Sequence, residues 1–405
     1  MNQSQGTHAN YPPNQKNLPL IRALRQHIES LSQPRISFTE FMDWVLYHHQ
    51  YGYYTQWRQK IGAKGDFFTS PHLASDFGEL VGKQLAQMWQ LLEKPVPFTV
   101  VEMGAGQGLL ADDVLTYLQH HTPECYASLQ YQIVEKAEAH VAEQRSRLRR
   151  WIASGVSIEW CALDAIPLHS VRGCFLSNEL IDAFPVHLVT VQDHQLKEIY
   201  VTTEGDTFTE VTDDCSHPDL MNYFDFTGVN VLGYETGYRT EVNLAALEWM
   251  QTVADRLERG YVLTIDYGYS AERYYSWARS QGTLQCYYQH RHHNNPYIHI
   301  GEQDMTAHVN FTALQRQGES AGLETLGFTQ QGLFLMALGL GDRLTALTQT
   351  ETTHPQELHE RLSRREALHQ LINPMGLGGF RVLVQGKGLV KQNQQPCLTG
   401  LKTML

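Results

Sequence analysis

The stretch "VVEMGAGQGLL", residues 100–110, decides the fold. An apolar run ends on the carboxylate of Glu102, and three glycines alternate behind it at Gly104, Gly106 and Gly108. A strand, a glycine turn and a helix N-terminus form a site where ligands bind beyond the carboxyl ends of parallel strands. Glycine tolerates unusual backbone angles there and leaves room for a ligand against the main chain. The spacing is Gly-x-Gly-x-Gly, not the GxGxxG of most dinucleotide folds. Glu102 also places negative charge where a pyrophosphate would sit. That suits a ligand with a cationic ammonium or sulfonium.

Outward from this turn, short apolar runs alternate with helical stretches. "FTVVEM", "YQIVE", "VSIEWC", "GCFLSNEL" and "YVLTIDYG" read as strands. "LLADDVLTYLQHH" and "KAEAHVAEQRSRLRRWIA" read as helices between the first three of them. The alternation predicts an α/β fold with a doubly wound parallel sheet and right-handed crossovers. The second strand closes on Glu135, where an acid typically accepts hydrogen bonds from ribose hydroxyls. Asp164 follows the third, where its carboxylate or a neighbouring N–H can meet an adenine amino edge. These three strand ends together point to S-adenosylmethionine, with NAD as the chief rival.

The rest of the chain surrounds that core. "SFTEFMDWVLYHH" is an amphipathic helix with Ser37 as N-cap and Glu40 three residues on, and "ASDFGELVGKQLAQMWQLLEK" is another. Val186–Thr212 reads as an antiparallel meander. "TEVNLAALEWMQTVADRLERG" predicts a helix from an N-cap at Thr240 to a stop at Gly260. Residues 281–311 read as a loop rich in His, Asn and Tyr, "FTALQRQGESAGL" as a helix and "GFRVLVQGKG" as a late strand.

Composition sets limits. The 405 residues carry a formal net charge of -12, a poor match to phosphate backbones, so no nucleic-acid partner is expected. Six cysteines without CxxC spacing argue against a zinc site or disulfide framework, and for a reducing compartment. His290, His292, His293 and His299 fit no standard zinc spacing, so no metal is expected. No apolar run is long enough to insert into a membrane, and the polar start lacks the features of a signal or transit peptide. A cytoplasmic protein is the expectation, and whether it forms a homodimer stays open.

Five segments carry a resemblance to a known family: "GDFFTSPHLASDFGELVG" (65–82), "VEMGAGQG" (101–108), "SNELIDAFPVH" (177–187), "LTIDYGY" (263–269) and "GTLQCYYQHRHHNNPYIHIGEQDMTAHVNFTAL" (282–314). With them the chain resembles, from about residue 35 to 385, the MidA-like bacterial and mitochondrial methyltransferases. That family includes the respiratory complex I assembly factor that methylates a protein arginine. The resemblance implies a class I, Rossmann-like core and S-adenosylmethionine as cofactor. It further implies a protein substrate, an arginine of an NADH dehydrogenase-type subunit. The family usually has proline and arginine where Ala105 and Gln107 stand, an acidic pair at Asn294–Asn295, and aspartate at Asn310. The expected organisation is a disordered tail at 1–19 and helical accessory elements at 20–95. Core segments follow at 96–185 and 236–390, with inserted elements at 186–235 and 270–310.

A guanidinium stays protonated, with a pKa above roughly 12. An arginine methyltransferase therefore needs carboxylates that orient the fork and draw its charge away from the attacking nitrogen. "SNELIDAFP" supplies Glu179, with Asn178 or Asp182 assisting, as candidate catalytic residues. Asp66 and Thr69 of "GDFFTSP" can close over the donor's amino-acid end, while Pro71 also fits a turn that starts a helix. Asp266 either faces the same cleft or caps a loop. Two other classes remain: a methyltransferase of a small molecule or other residue type, and an S-adenosylmethionine-binding assembly factor without turnover.

Overall fold

The computed structural model describes residues 17–56, 69–289, 291–349, 354–389 and 397–402. A seven-stranded sheet forms its centre. The strands run in the order Glu324–Gln330, Arg381–Lys387, Leu257–Asp266, Val171–Asn178, Phe98–Met103, Leu129–Val134, Ser157–Cys161. The last five pair in parallel and the first two antiparallel. From Phe98–Met103 the chain steps outward twice, then returns to lay Val171–Asn178 on the opposite side of the first strand. The strand order therefore reverses between these two neighbours, and their carboxyl ends border the crevice where such sheets bind ligands.

Phe98–Met103 is buried along its whole length because helices cover both faces. Phe98, Val100, Tyr131 and Leu263 pack with Phe77, Leu115, Leu335 and Leu368 on one side. Val101, Met103, Phe175 and Val262 meet Trp249, Met250, Phe311 and Leu314 on the other. The continuous apolar run of the sequence has this cause: a parallel strand sandwiched by helices has no solvent face.

A second sheet joins the meander His187–Gln192, Gln195–Glu204 and Thr207–Asp213 to Arg35–Ser37 and Arg239–Val242. The helix Phe38–Tyr47 lies on it through Phe38, Phe41, Met42, Val45 and Leu46, in a cluster that includes Val186, Leu188, Ile199 and Val201. Ser37 caps that helix as its spacing predicts, accepting from Glu40 N at 3.3 Å, a contact worth about 1 kcal/mol.

Three expectations are corrected. Thr240 is not an N-cap; it sits in a strand opposite Val189, and the helix Leu244–Arg256 starts after Asn243, whose side chain accepts from Ala246 N. That helix stops at Arg256, and Gly260 lies inside the next strand opposite Gly173. Residues 281–311 are not a plain loop. Gln285–Tyr288, Arg291–His293 and Asp304–Thr306 form a three-stranded antiparallel sheet, and Val309–Asn310 pairs with Gly268–Tyr269. The "KAEAHVAEQRSRLRRWIA" stretch also divides into two helices, Glu138–Arg147 and Arg149–Ala153. Among the described residues no helix is long and apolar enough to cross a membrane, and no group of three or more His, Cys, Asp or Glu is placed to hold a metal ion. His290 lies outside the described residues.

Candidate active site

The glycine turn needs left-handed backbone. Gly104, Gly106 and Gly108 have φ of 68°, 52° and 76°, and a Cβ on Gly104 would come within 2.8 Å of Leu180 Cδ1. Gly104 N donates to Val134 O at 3.0 Å, which ties the turn to the second parallel strand. Gln144, buried on the helix Glu138–Arg147, braces the same place. Its Nε2 donates to Gly106 O at 2.8 Å and to Glu135 Oε2 at 3.1 Å, while its Oε1 accepts from Trp160 Nε1. Glu135 Oε1 accepts from Ala137 N at 3.0 Å. The carboxylate is thus fixed beside the glycine turn.

Glu102 is buried on the first parallel strand, where Tyr131 donates its hydroxyl to Oε2 at 2.7 Å. Burial pushes its carboxyl up to about 7 against that hydrogen bond, with Glu135 and Asp113 adding to the rise. Its charge near neutral pH therefore depends on whether a cation is close. Asp164 sits in the middle of the short 3-10 turn Leu163–Ala165, with its side chain 92% exposed and paired to Arg256 at 3.0 Å. That carboxylate is engaged by a guanidinium and is not among the groups bonded to the glycine turn.

Thr69 and Ser70 link the two halves of the crevice. Thr69 Oγ1 meets His72 Nδ1 at 2.6 Å, and His72 Nε2 reaches Gln107 Oε1 of the glycine turn at 3.1 Å. Ser70 N donates to Glu179 Oε1 at 3.3 Å. The short helix Ser70–Leu73 starts there with its proline in the first turn, as a Ser-Pro start predicts. Asp66 lies outside the described residues.

On the facing side, Val171–Asn178 runs directly into a strained corner. Glu179 has φ of 50°, costing a non-glycine residue about 1 to 2 kcal/mol. Asp266 compels the turn: its Oδ2 accepts from Leu180 N, Ile181 N and Asp182 N, and its Oδ1 from Tyr267 N. Asp266 thus caps this turn. Asn178 Nδ2 donates to Glu179 Oε1 at 3.2 Å, and Tyr267 donates its hydroxyl to Asp182 Oδ2 at 2.5 Å. Tyr47 donates to Ala183 O at 2.8 Å and stacks on Tyr54, which donates to Asp304 Oδ1.

These groups make an acidic cup walled by tyrosines. Burial pushes Glu179 up to about 8, with Asp182 adding to the rise. Burial likewise raises Asp182 to about 6 against the Tyr267 hydrogen bond. Asp266 is driven well above the usual carboxylate range by burial and by its two acidic neighbours. Asp182 Oδ1 and Asn178 Oδ1 are buried without a partner, and among the described residues no lysine or arginine pairs with Glu179, Asp182 or Asp266. Sequence reasoning missed Gln144, Tyr47, Tyr54, Asp304 and the role of Tyr267. Only Tyr267 left a local signal, since it follows Asp266 within "IDYG".

The residues fit an S-adenosyl donor. A left-handed glycine turn leaves its glycine positions uncovered by Cβ atoms, an oriented carboxylate closes the second strand, and the buried acids Glu102 on the first strand and Asp182 just after the fourth have no counter-cation among the described residues. Residues 80–329 match the family described as "Putative S-adenosyl-L-methionine-dependent methyltransferase". The chain belongs to this family and is an S-adenosylmethionine-dependent methyltransferase of Rossmann-like α/β fold.

Its relatives narrow the comparison. The Drosophila melanogaster protein arginine methyltransferase NDUFAF7 homolog, mitochondrial, is 29% identical over 92% of this chain and 85% of its own. The Homo sapiens protein arginine methyltransferase NDUFAF7, mitochondrial, is 26% identical over 91% and 83%. A Burkholderia thailandensis protein crystallised with S-adenosyl-homocysteine is 31% identical, covers 95% of this chain and 94% of its own, and superposes with a TM-score of 0.82.

Proposed function

We propose that the enzyme methylates an arginine of a partner protein, by resemblance a subunit of a respiratory NADH dehydrogenase complex, and that it acts in the cytoplasm to aid assembly of that complex. The observation that supports an arginine is the cup: Glu179 and Asp182, raised by burial and lacking a counter-cation among the described residues, at the strand end beside the glycine turn. The names of the relatives as protein arginine methyltransferases point the same way.

When bound, S-adenosylmethionine supplies a methyl group made electrophilic by its sulfonium. In this reading Glu102, Glu135 and the turn Gly104–Gly106–Gly108 hold the donor, with Thr69 closing the crevice. Glu179 receives the target guanidinium and fixes its charge on the nitrogens that do not react, which leaves the third the better nucleophile. Asn178 orients Glu179, and Asp182, held by Tyr267, takes a second edge of the fork. Alignment and exclusion of water are the main contributions such a site makes to a displacement.

Two family departures have local explanations. Gln107 holds His72, and Asn310 caps the helix Phe311–Ser320 through Ala313 N, a task aspartate performs equally well. The test is a labelled-methyl assay on lysate from cells lacking the gene, with the modified site located by mass spectrometry. Label on a protein arginine is expected; label confined to small molecules or to other residue types overturns the reading.

A further inference from the structure

The chain carries 43 acidic against 31 basic Lys and Arg residues, and arginines such as Arg25, Arg172, Arg239 and Arg364 are paired with carboxylates. Three arginines near the cup are not. Arg273 and Arg279 both stack on the ring of Tyr269, at 4.6 and 4.2 Å from its centre. Arg381 is close enough that burial and the charge of Arg273 together lower its pKa. Among the described residues none of the three forms an ion pair; Arg279 spends its hydrogen bonds on Arg273 O and Ser276 Oγ. Like charges gathered without a counter-ion repel, and stacking on one tyrosine returns only about 1 kcal/mol per contact.

Position gives the cluster its meaning. Arg381 stands opposite Asp266 in the sheet, so it lies at the carboxyl end of the parallel strands, where the cup opens. His308 packs edge-on against both Tyr267 and Tyr269, which makes it the partition between the cup and the arginines. Burial and Arg279 lower its pKa to about 4, so it adds no charge. Arg273 is exposed, and Trp277, 81% exposed, stands in the turn that carries Arg279.

We propose that Arg273, Arg279 and Arg381 form a docking surface for acidic residues flanking the target arginine of the protein substrate. The substrate is then bipolar: a guanidinium enters the acidic cup while neighbouring carboxylates lie on the arginine cluster. A basic side chain alone is attracted to the cup in any orientation; the second, opposite contact sets the direction of the segment. This inference rests on the protein-arginine reading of the cup.

Two fluorescent peptides test it, each with one central arginine, flanked by Asp and Glu in the first and by Lys and Gln in the second. The intact enzyme is expected to bind the acidic peptide roughly tenfold more tightly at low salt, with the gap closing as salt rises. In the R273E/R381E variant the preference is expected to reverse, while calorimetry with S-adenosyl-homocysteine reports an intact donor crevice. Equal affinities for the intact enzyme, or an acidic preference that survives the double substitution, overturn the proposal. Methylation of the same peptides separates the two ideas. Binding without arginine methylation removes the arginine reading and leaves the surface; methylation without flank preference does the reverse.

Discussion

Tyr267 gives its phenolic hydrogen to one oxygen of Asp182, while the other oxygen of that carboxylate is buried and unpaired. The hydrogen bond opposes burial and holds Asp182 lower than it would otherwise lie, at about 6. Tyr267→Phe removes that opposition, so the Asp182 pKa rises and the acid limb of kcat/KM moves to higher pH. A lost hydrogen bond to a charged group corresponds to roughly a tenfold fall in kcat/KM at neutral pH. A pH–rate profile identical to that of the parent enzyme removes Asp182 from the site.

Glu179 is protonated in the free enzyme up to about pH 8 because burial disfavours its charge. An entering guanidinium must displace that proton. Affinity for an arginine peptide is therefore expected to rise with pH, approaching tenfold per unit, and to level off above pH 8. Calorimetry in buffers of different ionisation enthalpy should register the released proton. In Glu179→Gln the pH slope disappears and kcat falls on the order of 100-fold, with S-adenosyl-homocysteine still bound.

The turn at Gly104 makes a separate prediction. Its φ of 68° leaves little room for any side chain. Gly104→Ala costs about 1 to 2 kcal/mol in the turn, with Leu180 Cδ1 obliged to move aside. S-adenosyl-homocysteine binding is expected to weaken roughly tenfold while the far-ultraviolet circular dichroism is unchanged. Undiminished affinity would place the donor elsewhere.

Stability has its own test outside the cup. Asp76 is buried between Arg364, which grips it with two nitrogens, and Arg343, which also reaches Glu79. Burial alone would raise its pKa, but the two arginines outweigh burial and hold it below 3.8. A depressed folded pKa means the stabilisation is present above the unfolded value and is lost as pH falls through the folded one. Asp76→Asn should cost about 2 to 3 kcal/mol in urea unfolding at pH 7, with the difference shrinking below pH 4.

What could be read from the residues alone follows from how local each signal is. The strand Phe98–Met103 was legible because a strand between helix layers is largely apolar, and the glycine turn because left-handed backbone favours glycine. The placement of Glu179 and Asp182 at the crevice was legible because Glu179 directly follows the strand Val171–Asn178 and Asp182 lies three residues on. Thr240 misled because the run around it pairs with Val189, fifty-one positions earlier, and nothing nearby announces that partner. Residues 281–311 hid a small sheet for the same reason, since Gln285 meets Thr306 across an irregular span. Asp164 pairs with Arg256 from a distant helix, a contact that no local pattern announces. Tyr47 reaches Ala183 from another lobe altogether.

The turn that carries Asp182 is also the stem of the meander. Only Phe184, Pro185 and Val186 separate it from His187–Gln192, and the chain comes back beside it, where Asn243 Nδ2 contacts Ile181 O at 3.5 Å. Two of the backbone crossings between the two sheets thus meet at one corner. A partner grasped by the meander would therefore pull on the chain only a few residues from Asp182. The hairpin tips Asp193–His194 and Gly205–Asp206 lie at the turns of the meander, so changes in loop length are expected to be better tolerated there than in Phe184–Val186, beside the carboxylates.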